Sequence, residues 1–271
     1  MTVDPLQPYG PLIDSRLRLV TWNIWGRFGP WEQRQGGISA VLAEHAPDVV
    51  ALQEAWSAAD HDQARELAAA AGLRHHRFSG DRAEGGVTSG SAVLSRWPIG
   101  TVEPWTLPGP AGHAGSAVRV DIDGPRGPIR LVNVMLDWPL HHTHVRQDQI
   151  IELARRVREL GRGALTVVCG DFNAAPDCDE IRMLTGRATG PGVCWHDAWE
   201  FAGTGPGHTW STGNPWAAAV FPRDRRIDYV FSTSFRRGGA GQPTRAEILG
   251  TAAAGATVLS DHYAVLAELR Y

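Results

Sequence analysis

The sequence predicts an α/β fold in which mixed β-sheets are covered by helices, and two observations predict it. Apolar runs of strand length follow one another across turn residues in some places and across helical segments in others, so adjacent and crossover-connected strands must coexist. The 271 residues, 43% hydrophobic and 20% charged, can close a large core without disulfides or a structural metal. No internal repeat and no linker-like stretch divides the chain. Residues 16–271 therefore read as one domain behind a loosely packed tail at 1–15, where Asp4, Pro5, Pro8, Pro11 and Asp14 break any apolar pattern.

In order, 17–25 reads as a strand, 32–45 as a helix and 48–53 as a buried strand. Ala and Leu spacing makes 60–71 helical. Strands follow at 73–79, 90–96, 99–106, 115–123 and 128–136, with Asp123-Gly124-Pro125 supplying a turn between the last two. A long helix covers 144–160, because Ile150, Leu153, Ala154, Val157 and Leu160 share one face at helical spacing. Next come a strand at 164–170, a short helix near 177–185, and a Gly-, Pro- and Trp-rich region at 186–222 that reads as a long decorated loop. Strands return at 226–233, 245–250 and 262–269.

The net charge of −3 offers no global basic field for nucleic acid. A nuclease would need a local stripe, for which Arg74, Arg77 and Arg82, or Arg223, Arg225 and Arg226, are the candidates. All 26 basic residues are arginine, which reads first as codon usage and second as suited to bidentate phosphate recognition. Cys169, Cys178 and Cys194 form no CxxC pair and read as free thiols of a reducing compartment, Cys169 within the core. Residues 1–19 lack the apolar stretch of a signal peptide, and no later segment approaches the length of a membrane span. The default expectation is a cytoplasmic protein with no obligate protein partner.

Five short motifs stand at predicted strand ends: Thr21-Trp22-Asn23-Ile24, Leu52-Gln53-Glu54, Gly170-Asp171-Phe172-Asn173, Arg226-Ile227-Asp228-Tyr229 and Ser260-Asp261-His262. Strand ends hold polar groups in fixed geometry while the strands stay in the core. Carboxylates and amide oxygens are hard ligands of the kind Mg²⁺ or Mn²⁺ prefers, and an Asp beside a His orients and charges the imidazole. Each motif alone has a plain explanation as a surface carboxylate, a turn or a helix cap. Their ordered combination is what points to chemistry.

In that order the five motifs resemble the signature of the endonuclease/exonuclease/phosphatase superfamily, and Gly90-Ser91-Ala92-Val93-Leu94-Ser95-Arg96-Trp97-Pro98 resembles its middle strand. The resemblance runs from about Leu17 to the C-terminus. It implies a four-layer α/β/β/α sandwich of two mixed β-sheets flanked by helices, the DNase-I-like fold, with the active site at one sandwich edge. It also implies a metal-dependent phosphoester hydrolase using one or two Mg²⁺ or Mn²⁺ ions. Glu54 would be the main metal ligand, Asn23 would help hold the metal or the phosphate, and Asp261 would complete the acidic cluster. Asp171 and Asn173 would position water and phosphate oxygens. His262 would act as base or charged stabiliser, oriented by Asp228.

Two departures stand out. Many members carry a His where this chain has Met135, in Val132-Asn133-Val134-Met135-Leu136-Asp137, and a thioether cannot donate a hydrogen bond. His141, His142 and His144 follow at once. One of them could replace the donor, or the run could be a solvated helix start with Thr143 as N-cap, or a zinc site. Arg146 and Gln149 resemble the Arg and Gln usual on this helix. The chain also has 11 Trp, of which Trp25, Trp31, Trp138, Trp210 and Trp216 fall in loops near the expected site, where Trp138, Trp210 and Trp216 could form a substrate wall. Three functions follow from the sequence: a phosphodiesterase on a small molecule, nucleotide or lipid headgroup; a DNA or RNA nuclease; or a diverged member whose chemistry Met135 has weakened or moved away from phosphate esters.

Overall fold

The computed structural model describes residues 11–251 and 257–271, with the side chains of Asp81 and Arg82 left aside. Most of the expected tail, residues 1–10, lies outside the described residues. Its last part is not loose, because Ile13 N–H donates to Gly238 O at 2.8 Å and Ile13 O accepts from Arg270 at 2.6 Å.

The chain runs β1 (Arg16–Asn23), α1 (Trp31–His45), β2 (Val49–Ala58), β3 (His61–Asp62), α2 (Gln63–Ala70), β4 (His75–Glu84), β5 (Val87–Ser95), β6 (Ile99–Thr106), β7 (Ser116–Gly124) and β8 (Gly127–Met135). It continues through α3 (Thr143–Glu159), β9 (Leu165–Asp171), α4 (Asp179–Leu184), β10 (His196–Asp197), α5 (Ala198–Ala202), α6 (Pro215–Val220), β11 (Asp228–Ser232), β12 (Pro243–Leu249) and β13 (Ala264–Arg270). One sheet has the order β12-β13-β1-β2-β5-β4, with β3 on β2, and the other β10-β11-β9-β8-β7-β6. Each contains one parallel pair, β1 with β2 and β8 with β9, and each parallel connection passes through a helix, as the chain geometry requires.

Alternation along the strands builds three apolar layers. Leu17, Leu19, Val49, Ala51, Leu131, Val167, Val230, Val265 and Ala267 meet in one buried cluster between the sheets. Val20, Trp22, Val50 and Leu52 point the other way and pack with Ile38 of α1 and Leu67 of α2. Val132, Val134, Val168 and Phe231 pack with Ile150, Leu153, Ala154 and Val157 of α3. Helices thus cover the outer face of each sheet, giving the four-layer sandwich. Each fully buried aliphatic side chain contributes roughly 1.5–3 kcal/mol, so the α3 face alone fixes that helix on its sheet.

Two local features differ from the sequence reading. The 186–222 region holds β10, α5 and α6, elements too short to show a period. Thr143 is the first residue of α3, and His142, which makes no side-chain cap bond, stands at the cap position. Cys169, Cys178 and Cys194 are unpaired. Burial pushes the Cys169 thiol up to about 12, which suits an inert core residue.

Candidate active site

The inward rows of several strands change character at the same end. In β1 the row Leu17, Leu19, Thr21 finishes at Asn23, and in β9 the row Leu165, Val167, Cys169 finishes at Asp171. Asp228 opens β11 directly opposite Asp171 in the antiparallel ladder. Met135 lies beside Asp171 in the parallel one. Period-two alternation thus carries apolar side chains through the core and delivers polar ones to a common edge.

Backbone irregularities aim the remaining groups. The β2–β5 register slips between Leu52 and Ala55, and within this bulge Glu54 has φ 53°. Bulges re-aim side chains, and a non-glycine residue in the left-handed region costs about 1–3 kcal/mol, as strain at functional sites does. Trp25 (φ 55°) and Asn173 (φ 51°) share that conformation. Gly170 has φ 138°, and a Cβ there would lie 2.0 Å from Val134 O, so only glycine lets β9 approach β8.

The side chains converge. His262 Nδ1 lies 2.9 Å from Asp228 Oδ2, and its Nε2 lies 3.9 Å from Asp171 Oδ2. Asn23 Nδ2 donates to Glu54 at 3.1 Å and to Asp171 at 3.2 Å, while Asn23 Oδ1 accepts from Trp25 N–H at 3.0 Å. Asn23 therefore binds two carboxylates together through its amide hydrogens. Asn173 N–H donates to Asp171 Oδ1 and its side chain donates to Leu136 O. Ser260 Oγ donates to Asn23 O, accepts from His262 N–H and touches Asp261 Oδ1 at 3.2 Å.

Electrostatics follow from burial. Desolvation, opposed by His262 and reinforced by Asp228, pushes the Asp171 carboxyl up to about 7. Desolvation also raises Asp261. For His262, burial alone would favour the neutral ring, but Asp228 and then Asp171 outweigh it and hold the imidazolium well above its ordinary range. Asp171, Asp228 and His262 form one group of ligating atoms close enough to hold a metal ion. The hydrogen bond to Asp228 occupies His262 Nδ1, which leaves the neighbouring oxygens as the better donors for a hard cation.

Several supporting residues act through long-range contacts that the local sequence does not show. Buried Arg34 donates to the carbonyls of Ile24, Trp25, Gly26, Phe28 and Leu259, fixing the loop behind Asn23. Gln53 donates to Asn133 at 2.6 Å, and Asn133 donates to Leu52 O and Ala92 O, a polar bridge across the sheets. Thr209 Oγ1 accepts the N–H groups of Ile227 and Asp228, and Asn214 donates to Ser260 O and Asp261 O. The His208-Thr209-Trp210 and Asn214-Pro215-Trp216 segments thus brace the backbone of the site.

The expected substrate wall divides. Trp216 packs on Trp25, 5.1 Å between rings, with Phe28 5.7 Å beyond, and all three are partly or fully exposed. Trp210 takes a different place from the stacking surface expected of it. It is buried, its N–H is bonded to Phe221 O, and its ring meets His262 edge-on at 5.2 Å. Trp138 is 66% exposed. His141 and His144 are exposed, and His142 turns to Asp137. Among the described residues, no hydrogen bond or ion pair joins these three histidines to Asp171, Asn173, Asp228 or His262.

A cavity of about 430 Å³ adjoins the site, lined in part by Asp177, His208, Phe221, Arg223 and Arg225. Glu54, Asp171, Asp228 and Asp261 do not line it. It connects to them through Arg225, whose guanidinium donates to Asn173 O at 2.9 Å.

Comparison with known proteins bears on this geometry. The model of the endonuclease/exonuclease/phosphatase family matches residues 20–262. The Caenorhabditis elegans protein "Putative neutral sphingomyelinase" is 28% identical over 220 residues, covering 69% of this chain. The chain spans about half of that relative, 46% of its length. Crystalline TDP2 from C. elegans superposes with a TM-score of 0.75 at 19% identity, over 96% of this chain and 76% of that one. The endonuclease/exonuclease/phosphatase from Beutenbergia cavernae superposes at 0.71 with 25% identity, over 94% and 71%.

Proposed function

The chain belongs to the endonuclease/exonuclease/phosphatase family, and on that premise we propose that it is a divalent-metal-dependent phosphoester hydrolase, acting as a phosphodiesterase on a small-molecule, nucleotide or lipid-headgroup substrate. The observation that carries this reading is the buried Asp171–His262–Asp228 array beside the Asn23–Glu54 pair.

The residues suit a hard cation. Glu54, Asp171 and Asp261 supply oxygen donors, the burial that raises Asp171 is relieved by an adjacent positive charge, and Asp228 Oδ1 is buried with no hydrogen-bond partner among the described residues. Glu54 is assigned as the main ligand of Mg²⁺ or Mn²⁺, with Asn23 holding it in place and Asp261 available at a second position. Once bound, the ion supplies neutralisation of phosphate charge and of the charge that grows in the transition state.

The protein's own groups do the rest. Asp171 and Asn173 orient the attacking water and the phosphate oxygens. Asp228 occupies His262 Nδ1, so Nε2 is the nitrogen that faces the reacting phosphate. A His held protonated stabilises developing negative charge and can return a proton to the leaving oxygen, typically worth ~10²–10⁴-fold. The water oxygen bonds to phosphorus as the bond to the leaving oxygen breaks; Asp171, raised to about 7, takes the proton the water loses while His262 gives one to the leaving oxygen, with no covalent enzyme intermediate.

The small-substrate assignment draws support from the arginines. Arg226 is buried against Asp197 at 2.6 Å and Arg225 is bonded to Asn173 O, so neither is free to neutralise a polynucleotide backbone. Arg74, Arg77 and Arg223 are exposed; the Arg82 side chain lies outside the described residues. Among the described residues, no helix is long and apolar enough to cross a membrane.

The test is hydrolysis of bis(p-nitrophenyl) phosphate and p-nitrophenyl phosphate with Mg²⁺, Mn²⁺ or EDTA, beside His262→Ala. The expected result is EDTA-sensitive release, faster from the diester and lost in the variant. Faster release from the monoester would replace phosphodiesterase by phosphatase. Release that ignores both EDTA and the variant would remove the assignment.

A further inference from the structure

A second cluster of ligating side chains lies two residues beyond Met135, the end of β8 beside Asp171, and we infer that His113, Asp137 and His142 form a site for a borderline transition-metal ion such as Zn²⁺. His113 Nδ1 lies 2.9 Å from Asp137 Oδ1, and His142 Nδ1 lies 2.7 Å from Asp137 Oδ2. The three ligating atoms all fall within 4.8 Å of one another. Two imidazoles and a carboxylate are the donor set that zinc takes when its fourth position stays open to water or another ligand. The exposed His141, whose ring lies 4.4 Å from that of His142, is near enough to serve there.

The site is built rather than assembled from surface residues. Its ligands come from three segments: the loop after β6, the second residue beyond the end of β8 and the cap of α3. Two buried side chains of α3 lock those segments. Gln149 accepts from Asp137 N–H and donates to Pro108 O and His113 O. Arg146, paired with buried Glu180, donates to Asp137 O and Pro139 O. The ligands are thereby fixed in place before any ion arrives, as a metal site requires.

Charge points the same way. The Asp137 side chain is 2% exposed, and among the described residues only the two imidazoles bond its oxygens. A buried carboxylate needs a positive partner, and among the described residues no arginine side chain bonds its oxygens. Donor softness then separates two sites in one molecule. Oxygen donors around Glu54 suit Mg²⁺ or Mn²⁺, while imidazoles favour Zn²⁺. An ion at Asp137 would stiffen the catalytic edge, because Leu136 N–H donates to Asp171 O and Leu136 O accepts from Asn173.

The experiment is a titration of EDTA-stripped, dialysed protein with Co²⁺, a spectroscopic stand-in for Zn²⁺, in excess Mg²⁺ to fill the oxygen-donor site. Calorimetry with Zn²⁺ alone accompanies it. One equivalent should bind with the intense visible bands of tetrahedral Co²⁺. His113→Gln and His142→Gln should each lose those bands and weaken Zn²⁺ binding by more than ~100-fold, since even the outer partners of a ligand are worth ~10–100-fold. Glu54→Gln should keep both. Unchanged circular dichroism guards against misfolding, and the partly exposed His113 is the safer variant if His142→Gln unfolds. Absence of the bands in the unaltered protein, their survival in both His variants, or their loss in Glu54→Gln would overturn the proposal.

Discussion

His262 and Asp171 sit at the centre of the proposed chemistry because their surroundings favour the protonated form of both, neighbouring carboxylates for the imidazolium and burial for the carboxyl. Replacing either by alanine should lower diester turnover by ~10²–10⁴-fold with circular dichroism unchanged; near-full activity in both would void the assignment. Asp171 also makes a claim about pH. Its carboxyl is raised to about 7 in the fold from an ordinary 3.8, so the folded state favours the protonated form. Its contribution to stability is therefore complete below about pH 4 and is lost as pH rises through about 7. In EDTA, the Tm of the unaltered protein should fall relative to Asp171→Asn across that window, and Mg²⁺ should abolish the fall. A difference that does not vary with pH would contradict the burial argument. Met135 carries a third prediction. It lies beside Asp171 and cannot donate, and a charge-assisted hydrogen bond is worth about 1.5–3 kcal/mol. Met135→His should raise kcat roughly tenfold or more, and an unchanged kcat would mean another group already fills the role.

At the scale of elements, strands are the delivery system. The inward row of β9 ends at Asp171 only because Gly170 lets it pass Val134 O, so Gly170→Ala should cost on the order of 3 kcal/mol in urea denaturation. Stability within 0.5 kcal/mol of the unaltered protein, about the scatter of neutral surface changes, would contradict that packing. The same alternation explains what the sequence made legible. Long strands and α3 announce themselves by period, and Asn23, Asp171 and Asp228 by standing where an apolar period stops. The bulge that turns Glu54 inward has no period of its own. Neither do α5 and α6, each little more than one turn. Long-range partners were invisible for a related reason. His113 meets Asp137 across 24 positions, Arg34 reaches Leu259 across 225, and Asn214 reaches Ser260 across 46. Trp210 read as a substrate-facing aromatic because composition cannot distinguish a ring at the surface from one packed behind a histidine.

Over the whole molecule, two sheets pack so that one edge collects acids, an amide and a charged imidazole while the net charge stays at −3. That balance suits a compact anionic substrate drawn by a local cation better than a polyanion drawn by a global field. If short DNA bound with a steep salt dependence, the arginine surface would have to be reconsidered. The central claim is that phosphodiester hydrolysis depends on a cation held at Glu54. The most direct measurement is the turnover of bis(p-nitrophenyl) phosphate by EDTA-stripped protein as Mn²⁺ is added back, for the unaltered chain and for Glu54→Gln. The account predicts no turnover without metal, saturable recovery in the unaltered chain, and recovery in Glu54→Gln that is far weaker or needs much more Mn²⁺. Equal recovery curves for the two proteins, or turnover that persists after stripping, would contradict it.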